Sequence, residues 1–416
     1  MLTRRFFLKS GALAIAGIGT GLCVPSFLKR TALAASEQTK STKTLIVLFQ
    51  RGAADGLNIV VPFGEAAYYS VRPQLSIAKP KTSDEQSAID LDGFFGLHPA
   101  LKPFKSLYDA RQLAIVHAAG SPDSTRSHFD AQDYMETGTP GIKSTADGWL
   151  NRYLQGKKIV QASPLRAVAM GNKQPRALAG DNPSITLANL GAFDVRGGGG
   201  QASSVFESMY GKSDDKRLHP TGNEAFEAMR IIKRLRANGY TPANGADYPR
   251  GQFGASLRQI AQLIKADVGL EVAFADMGGW DTHTTQGAAQ GRLAFLLREF
   301  SSSISAFTQD LGDRMNDVVI ITLSEFGRTV QQNGNLGTDH GHATCMFVLG
   351  GKVRGGKVYG RWPGLEREQL YEGRDLALTT DFRSVCTEVL MKHFGISDSK
   401  RIFPGFQAKE LLSLMA

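Results

Sequence analysis

Short apolar runs alternate with segments of helical spacing along this chain, and that alternation limits its possible folds more than any other feature. The runs are KTLIVLFQ (43–50), QLAIVHAAG (112–120), LRAVAMG (165–171), LEVAFADMGG (270–279) and DVVIITLS (317–324). They are mostly β-branched and end in glycine or polar residues, as strands buried on both faces of a mostly parallel sheet do. Between them, apolar residues recur at helical spacing over 100–110, 128–137, 202–212, 223–236, 252–266 and 288–312. Strand and helix alternating in this way predict an α/β fold, a three-layer αβα sandwich with a mostly parallel central sheet. The loop-like stretches at 196–200 and 238–254 show no flanking change of composition, so residues 35–416 read as one domain. With 416 residues, a sizeable core is within reach.

The first 34 residues have a different character. Arg4, Arg5, Lys9, Lys29 and Arg30 lie there without an acidic residue, followed by an apolar stretch and the small-residue end Ala32-Leu33-Ala34. This is the layout of an export signal. Thr3-Arg4-Arg5-Phe6-Phe7-Leu8-Lys9 resembles the bacterial twin-arginine signal, which implies passage through the twin-arginine translocase to a periplasmic or extracellular location. Removing those five basic residues lowers the net charge from +9 to +4. The mature chain has no basic stripe or interleaved aromatics, so nucleic acid is not an expected partner. Nor does it contain a run of ~18 apolar residues, so no membrane span is expected in it. Of three cysteines, Cys345 and Cys386 would survive cleavage, and the sequence leaves their pairing open.

In open α/β sheets, ligands gather at the carboxyl ends of the strands. Asp55 follows the first run, SPDSTRSHFDAQD the second, Asp281 and His283 the fourth, and SEFGRT then TDHGH the fifth. Five of the eight histidines, His117, His128, His283, His340 and His342, fall at or just past these ends. Carboxylates and imidazoles without thiolates suit Zn²⁺, with Mn²⁺ or Mg²⁺ as harder alternatives. Two ions would draw on about six to eight ligands. Asp55, Asp281, His283, Asp339, His340 and His342 are the candidates, with Glu325 in reserve.

The stretch Asp339-His340-Gly341-His342-Ala343 resembles the signature of metal-dependent alkaline phosphatases, whose superfamily includes sulfatases. RGAADGL, RSHFDAQDYMETG, GGWDTH, SEFGRT and TDHGHA, spread over positions 51 to 344, resemble the exported bacterial family called domain of unknown function 1501, which is grouped with that superfamily. The resemblance implies an alkaline-phosphatase-like fold and a metal-dependent hydrolase of phosphate or sulfate monoesters, acting on a small-molecule or polymer ester. Two departures stand out. Asp281 and His283 have one residue between them where the phosphatases have a longer interval, and the late histidine ligand has only His393 as counterpart, leaving His342 as its substitute. Glu325 directly follows its strand, so it competes with Asp339 for the aspartate's place. The alternative function is a secreted binding or assembly protein on the same fold.

A hydroxyl nucleophile is expected at a helix start, where the positive helix end stabilises an alkoxide and a bound anion. Ser124, Thr125 and Ser127 compete, and Ser127 directly precedes the helical segment. Arg126 is the candidate anion clamp. Arg328 is a further catalytic candidate for the developing oxyanion, and Arg51 a secondary one.

Overall fold

In the computed structural model, which describes residues 43–157, 162–192, 218–408 and 410–416, the first apolar run forms β1 (Thr44–Gln50) with all seven residues buried. Side chains alternate across a strand. Leu45, Val47 and Phe49 therefore pack into one core and Ile46 and Leu48 into another. That is why the run is apolar at every position and not at every second one.

Helices cover both faces. One core takes side chains from α1 (Lys102–Asp109), α4 (Leu218–Asn238), α5 (Gln252–Lys265) and α6 (Arg292–Leu311). The other takes Met135 of α2 (His128–Thr137), α3 (Trp149–Gly156) and α7 (Phe382–Lys392). The three-layer α/β architecture is thus present. Either core depends on the sheet between them, and Leu48→Ala is expected to cost about 2–5 kcal/mol.

The remaining sheet strands are β2 (Leu113–Gly120), β3 (Ala167–Met170), β4 (Ile185–Leu187), β5 (Val272–Met277), β6 (Val318–Leu323), β7 (Thr344–Gly350), β8 (Lys357–Tyr359) and β9 (Thr380–Asp381). Among the described residues the order is β8-β2-β7-β6-β1-β5-β3-β4, with β9 also on β2. β1 is parallel to β5 and to β6, while β7 runs antiparallel to both β6 and β2. The sheet is therefore mixed and mostly parallel. Two reversals restore direction, so β2 points the same way as β1, β5 and β6. Their carboxyl ends, together with the amino end of β7, lie on one edge.

All five expected strands form, with trimmed ends. The sequence reading missed β7, α3 and the short strands β4, β8 and β9. The helix expected at 202–212, the glycine run at 196–200 and the N-terminal signal with its boundary at 34 lie outside the described residues. Lys43–Ala416 form one unit. Among the described residues no helix is long and apolar enough to cross a membrane. Cys345 and Cys386 are free and buried in the cores of opposite sheet faces, which rules out a bond between them.

Candidate metal centre

Three segments meet at the common edge. The α2 start follows β2, the 278–291 loop follows β5, and SEFGRT and TDHGH form a return between β6 and β7. That return is a narrow ribbon. Thr329 N–H donates to the Asp339 carbonyl (2.9 Å), Gly341 N–H to the Gly327 carbonyl (2.9 Å) and Gly327 N–H to the His342 carbonyl (2.7 Å). A Cβ on Gly341 would stand 2.3 Å from the Arg328 carbonyl carbon, so only glycine permits the approach. Because β7 is antiparallel, His340 reaches the edge by preceding its strand, whereas Asp281 follows one. Glu325 directly follows β6, and TDHGH belongs to the return that leads into β7.

The imidazole protons follow from their partners. His340 Nδ1 is 2.9 Å from the Arg126 carbonyl, His283 Nδ1 is 2.9 Å from Asp339 Oδ1, and His128 Nδ1 is 2.8 Å from Glu325 Oε1. Carbonyls and carboxylates only accept, so each Nδ1 donates and each neutral ring carries its lone pair on Nε2. These lone pairs converge. His283 Nε2 and His340 Nε2 face each other at 2.9 Å, which is repulsive unless a proton or a cation lies between them. Asp281 Oδ1 is 3.1 Å from His283 Nε2 and 3.3 Å from His340 Nε2, while Oδ2 is 3.6 Å from His128 Nε2. A tetrahedral ion with bonds of about 2.0–2.1 Å holds its ligand atoms about 3.3 Å apart. His128 Nε2, an Asp281 oxygen and His340 Nε2 are placed to hold such an ion.

His128, Asp281 and His340 can each bring one ligand atom within 4.8 Å of the others, and His283 joins through its short contacts to the last two. The side chains of Asp281 and His283 are 42 % and 40 % exposed, which leaves an open side for substrate. The local fields act differently on each group. The hydrogen bond to Glu325 raises the His128 pKa against the effect of burial. Burial opposes charge on Asp281, yet Arg328 and the three histidines hold its carboxyl below the ordinary range. Burial lowers the His340 pKa, favouring the neutral, ligating ring.

Arg328 is 1 % exposed, and burial lowers its pKa. Its Nη2 lies 3.0 Å from Asp281 Oδ1, an ion pair off the line of a hydrogen bond, and Nε, Nη1 and Nη2 have no hydrogen-bond partner among the described residues. A buried guanidinium with its donors free is costly unless something else uses them.

Several expected residues are placed elsewhere. Asp55, 1 % exposed, pairs through Oδ2 with Arg72 Nη1 (2.6 Å) and Gln286 Nε2 (2.6 Å). Gln286 Oε1 accepts from Thr282 and Thr338, so Asp55 anchors the loops beneath the centre and does not join the ligand atoms. Glu325 and Asp339 orient His128 and His283, as carboxylates behind metal-binding imidazoles commonly do. The bonds from His128, Gln132 and Gly52 outweigh burial and keep the Glu325 carboxyl below its ordinary range. His342 stacks on Tyr371 at 4.5 Å, and burial keeps its pKa low.

The expected clamp, Arg126, is tied to Asp375 and Glu372, both at 2.7 Å. Arg51 is bound to Asp276, Glu136 and Gln132. Ser127 caps α2, its Oγ accepting from Asp130 N–H at 3.5 Å. It is the next residue, His128, that enters the cluster. The sequence census had noted His128 without assigning it, although its place at a helix start after a strand was the available signal. His393 lies 3.3 Å from the Asp317 carbonyl, away from the edge.

Residues 111–404 match the model of a family described as protein of unknown function (DUF1501). No curated protein matches the chain. Among solved structures it is similar to the lipoteichoic acid synthase LtaP from Listeria monocytogenes, with TM-score 0.33 and 9 % identity over 74 % of this chain and 65 % of that one. The chain thus spans just under two thirds of that protein's length. It is also similar to alkaline phosphatase from the Antarctic bacterium TAB5, with TM-score 0.32 and 11 % identity over 76 % of this chain and 93 % of that one. The family match covers well over half of the chain, which therefore belongs to the DUF1501 family.

Proposed function

For this DUF1501 member we propose a metal-dependent hydrolysis of phosphate or sulfate monoesters. One observation carries the reading: three imidazole nitrogens and the Asp281 carboxylate gather beside a buried guanidinium that has no hydrogen-bond partner and only an ion pair to Asp281. Three nitrogens and one carboxylate oxygen favour Zn²⁺ over Mn²⁺ or Mg²⁺. A bound divalent ion would supply Lewis acidity to an ester oxygen.

The protein's own groups divide the remaining work. Glu325, Asp339 and the Arg126 carbonyl fix the ring orientations. Asp281 lies between Arg328 and the histidines, so turning it toward the histidines frees the Arg328 donors for an anionic oxygen. In this low-dielectric position the guanidinium acts more strongly than at the surface. The attacking group is either a water or the Ser127 hydroxyl, whose bond to Asp130 is long.

The test combines elemental analysis of purified protein with turnover of aryl phosphates and aryl sulfates. A divalent ion and turnover that Arg328→Gln lowers at least tenfold, with metal content unchanged, support the reading. Metal-replete protein inert toward every such ester contradicts it. We also propose export by the twin-arginine route. Replacing Arg4 and Arg5 together by lysine is expected to leave uncleaved precursor in the cytoplasm, and normal export of that variant on fractionation would contradict the proposal.

A further inference from the structure

The α2 helix connects the metal centre to a second feature of the edge. His128, Gln132 and Glu136 are spaced four apart and share one helix face. His128 enters the cluster and Gln132 Nε2 donates to Glu325 Oε1 (2.8 Å). Arg51 Nη1 donates to Gln132 Oε1 (2.9 Å), while its Nη2 pairs with Glu136 Oε1 (2.9 Å). Glu136 opens on a cavity of about 390 Å³ past the ends of β1, β3 and β5, lined also by Arg51, Asn172, Lys173 and Asp276. At 1.5 Å per residue, its wall stands ~12 Å along the helix from His128.

The lining has a definite chemistry. Arg51 lies between two carboxylates, Glu136 and Asp276, with Nε 2.5 Å from Asp276 Oδ2. Three cations, Arg51, Lys173 and Arg176, face two acids, and Arg176 is itself paired with Asp133 just outside the cavity (3.0 Å), so the charges balance. Asp276, Asn172 and Lys173 are exposed, so acceptors and donors stand beside the apolar Met170, Pro175 and Phe274 on a wall whose charges balance. An anion would meet the two carboxylates, and a hydrocarbon would strip water from all of these groups without replacing their hydrogen bonds. A neutral ligand rich in hydroxyls satisfies them. The volume lies within the range of small-ligand sites, about 300–1,000 Å³. The ~12 Å interval calls for an extended molecule.

We propose that this cavity is a subsite for the neutral oligosaccharide part of an ester whose anionic group lies at the metal centre, an inference that rests on the hydrolase reading above. The test is an array of neutral, phosphorylated and sulfated oligosaccharides probed with metal-replete protein. Wild type is expected to bind a subset including neutral members, and both Asn172→Trp, which fills the cavity, and Lys173→Glu, which breaks its neutrality, are expected to weaken that binding at least tenfold while keeping the wild-type circular dichroism spectrum. A blank array, or binding that both variants keep, overturns the proposal. Failure of the two readings is distinguishable: aryl esters turned over with a blank array sinks only the subsite. Neutral oligosaccharides bound in a variant-sensitive way, with every ester left intact, sinks only the hydrolase reading.

Discussion

Strand β5 has a charged cluster at each end, and the two differ in whether their hydrogen bonds close. Just before it, Glu271 is 2 % exposed, its Oε1 accepting from the Tyr153 hydroxyl (2.5 Å) and Lys157 Nζ (2.8 Å) and its Oε2 from Arg166 Nε (2.7 Å). Those bonds outweigh burial and hold the Glu271 carboxyl below its ordinary range. Just past the other end, Asp281 faces imidazole lone pairs that point at one another and a guanidinium with idle donors. The first cluster is complete as built. The second has every group oriented and no internal way to satisfy them all, which is the condition of a site awaiting a ligand.

The largest expected effect breaks the complete cluster. Glu271→Ala leaves Arg166 buried without its carboxylate and is expected to cost about 3–5 kcal/mol in urea unfolding, with metal content unchanged. Stability equal to wild type would remove the contrast. The pH dependence sharpens it. The folded pKa of Glu271 lies below the unfolded value of about 4.3, so its contribution is complete above that value and is lost as pH falls through the folded one. The stability gap between wild type and Glu271→Gln is therefore expected to narrow toward acid, and a constant gap would contradict the assignment.

The next effect belongs to the open cluster. Asp281→Asn loses the ion pair to Arg328 but no closed hydrogen-bond network, and in chelator it is expected to lower the melting temperature less than Glu271→Ala does. An ion at a hundred times its Kd adds about 2.7 kcal/mol to the wild type, and the variant is expected to lose most of that gain. A variant as destabilised in chelator as Glu271→Ala would make Asp281 a structural residue like Glu271. The smallest effect comes from Ser127→Ala, where losing the cap is expected to cost about 1 kcal/mol. Turnover that survives this change identifies water as the attacking group, and turnover that vanishes at wild-type metal content identifies the hydroxyl.

How far the sequence revealed all this depends on what periodicity encodes. Burial on two faces makes β1, β2, β5 and β6 continuous apolar runs, so they and the edge they share were legible. Direction leaves no such mark: TCMFVLG reads the same parallel or antiparallel, and so the return that carries His340 was not. Asp281 and His283 were recognisable from their place after a strand. Asp55, Glu325 and Asp339 look like Asp281 in sequence, and only their partners separate anchor and orienting group from ligand. The partner of Asp55 is Arg72, seventeen residues away in a stretch without any motif. His128 was hidden because its neighbour Ser127 also suits a helix start.

The central claim is that three histidine Nε2 atoms and Asp281 hold one divalent ion, and His128 is the member on which it depends most. The direct measurement is the metal stoichiometry of wild type and His128→Ala after equilibration with Zn²⁺ and removal of excess. One ion per wild-type chain, and a binding constant weakened at least a hundredfold in the folded variant, is the predicted result. A folded wild type that retains no ion, or a variant that binds it as tightly as wild type, would contradict the account.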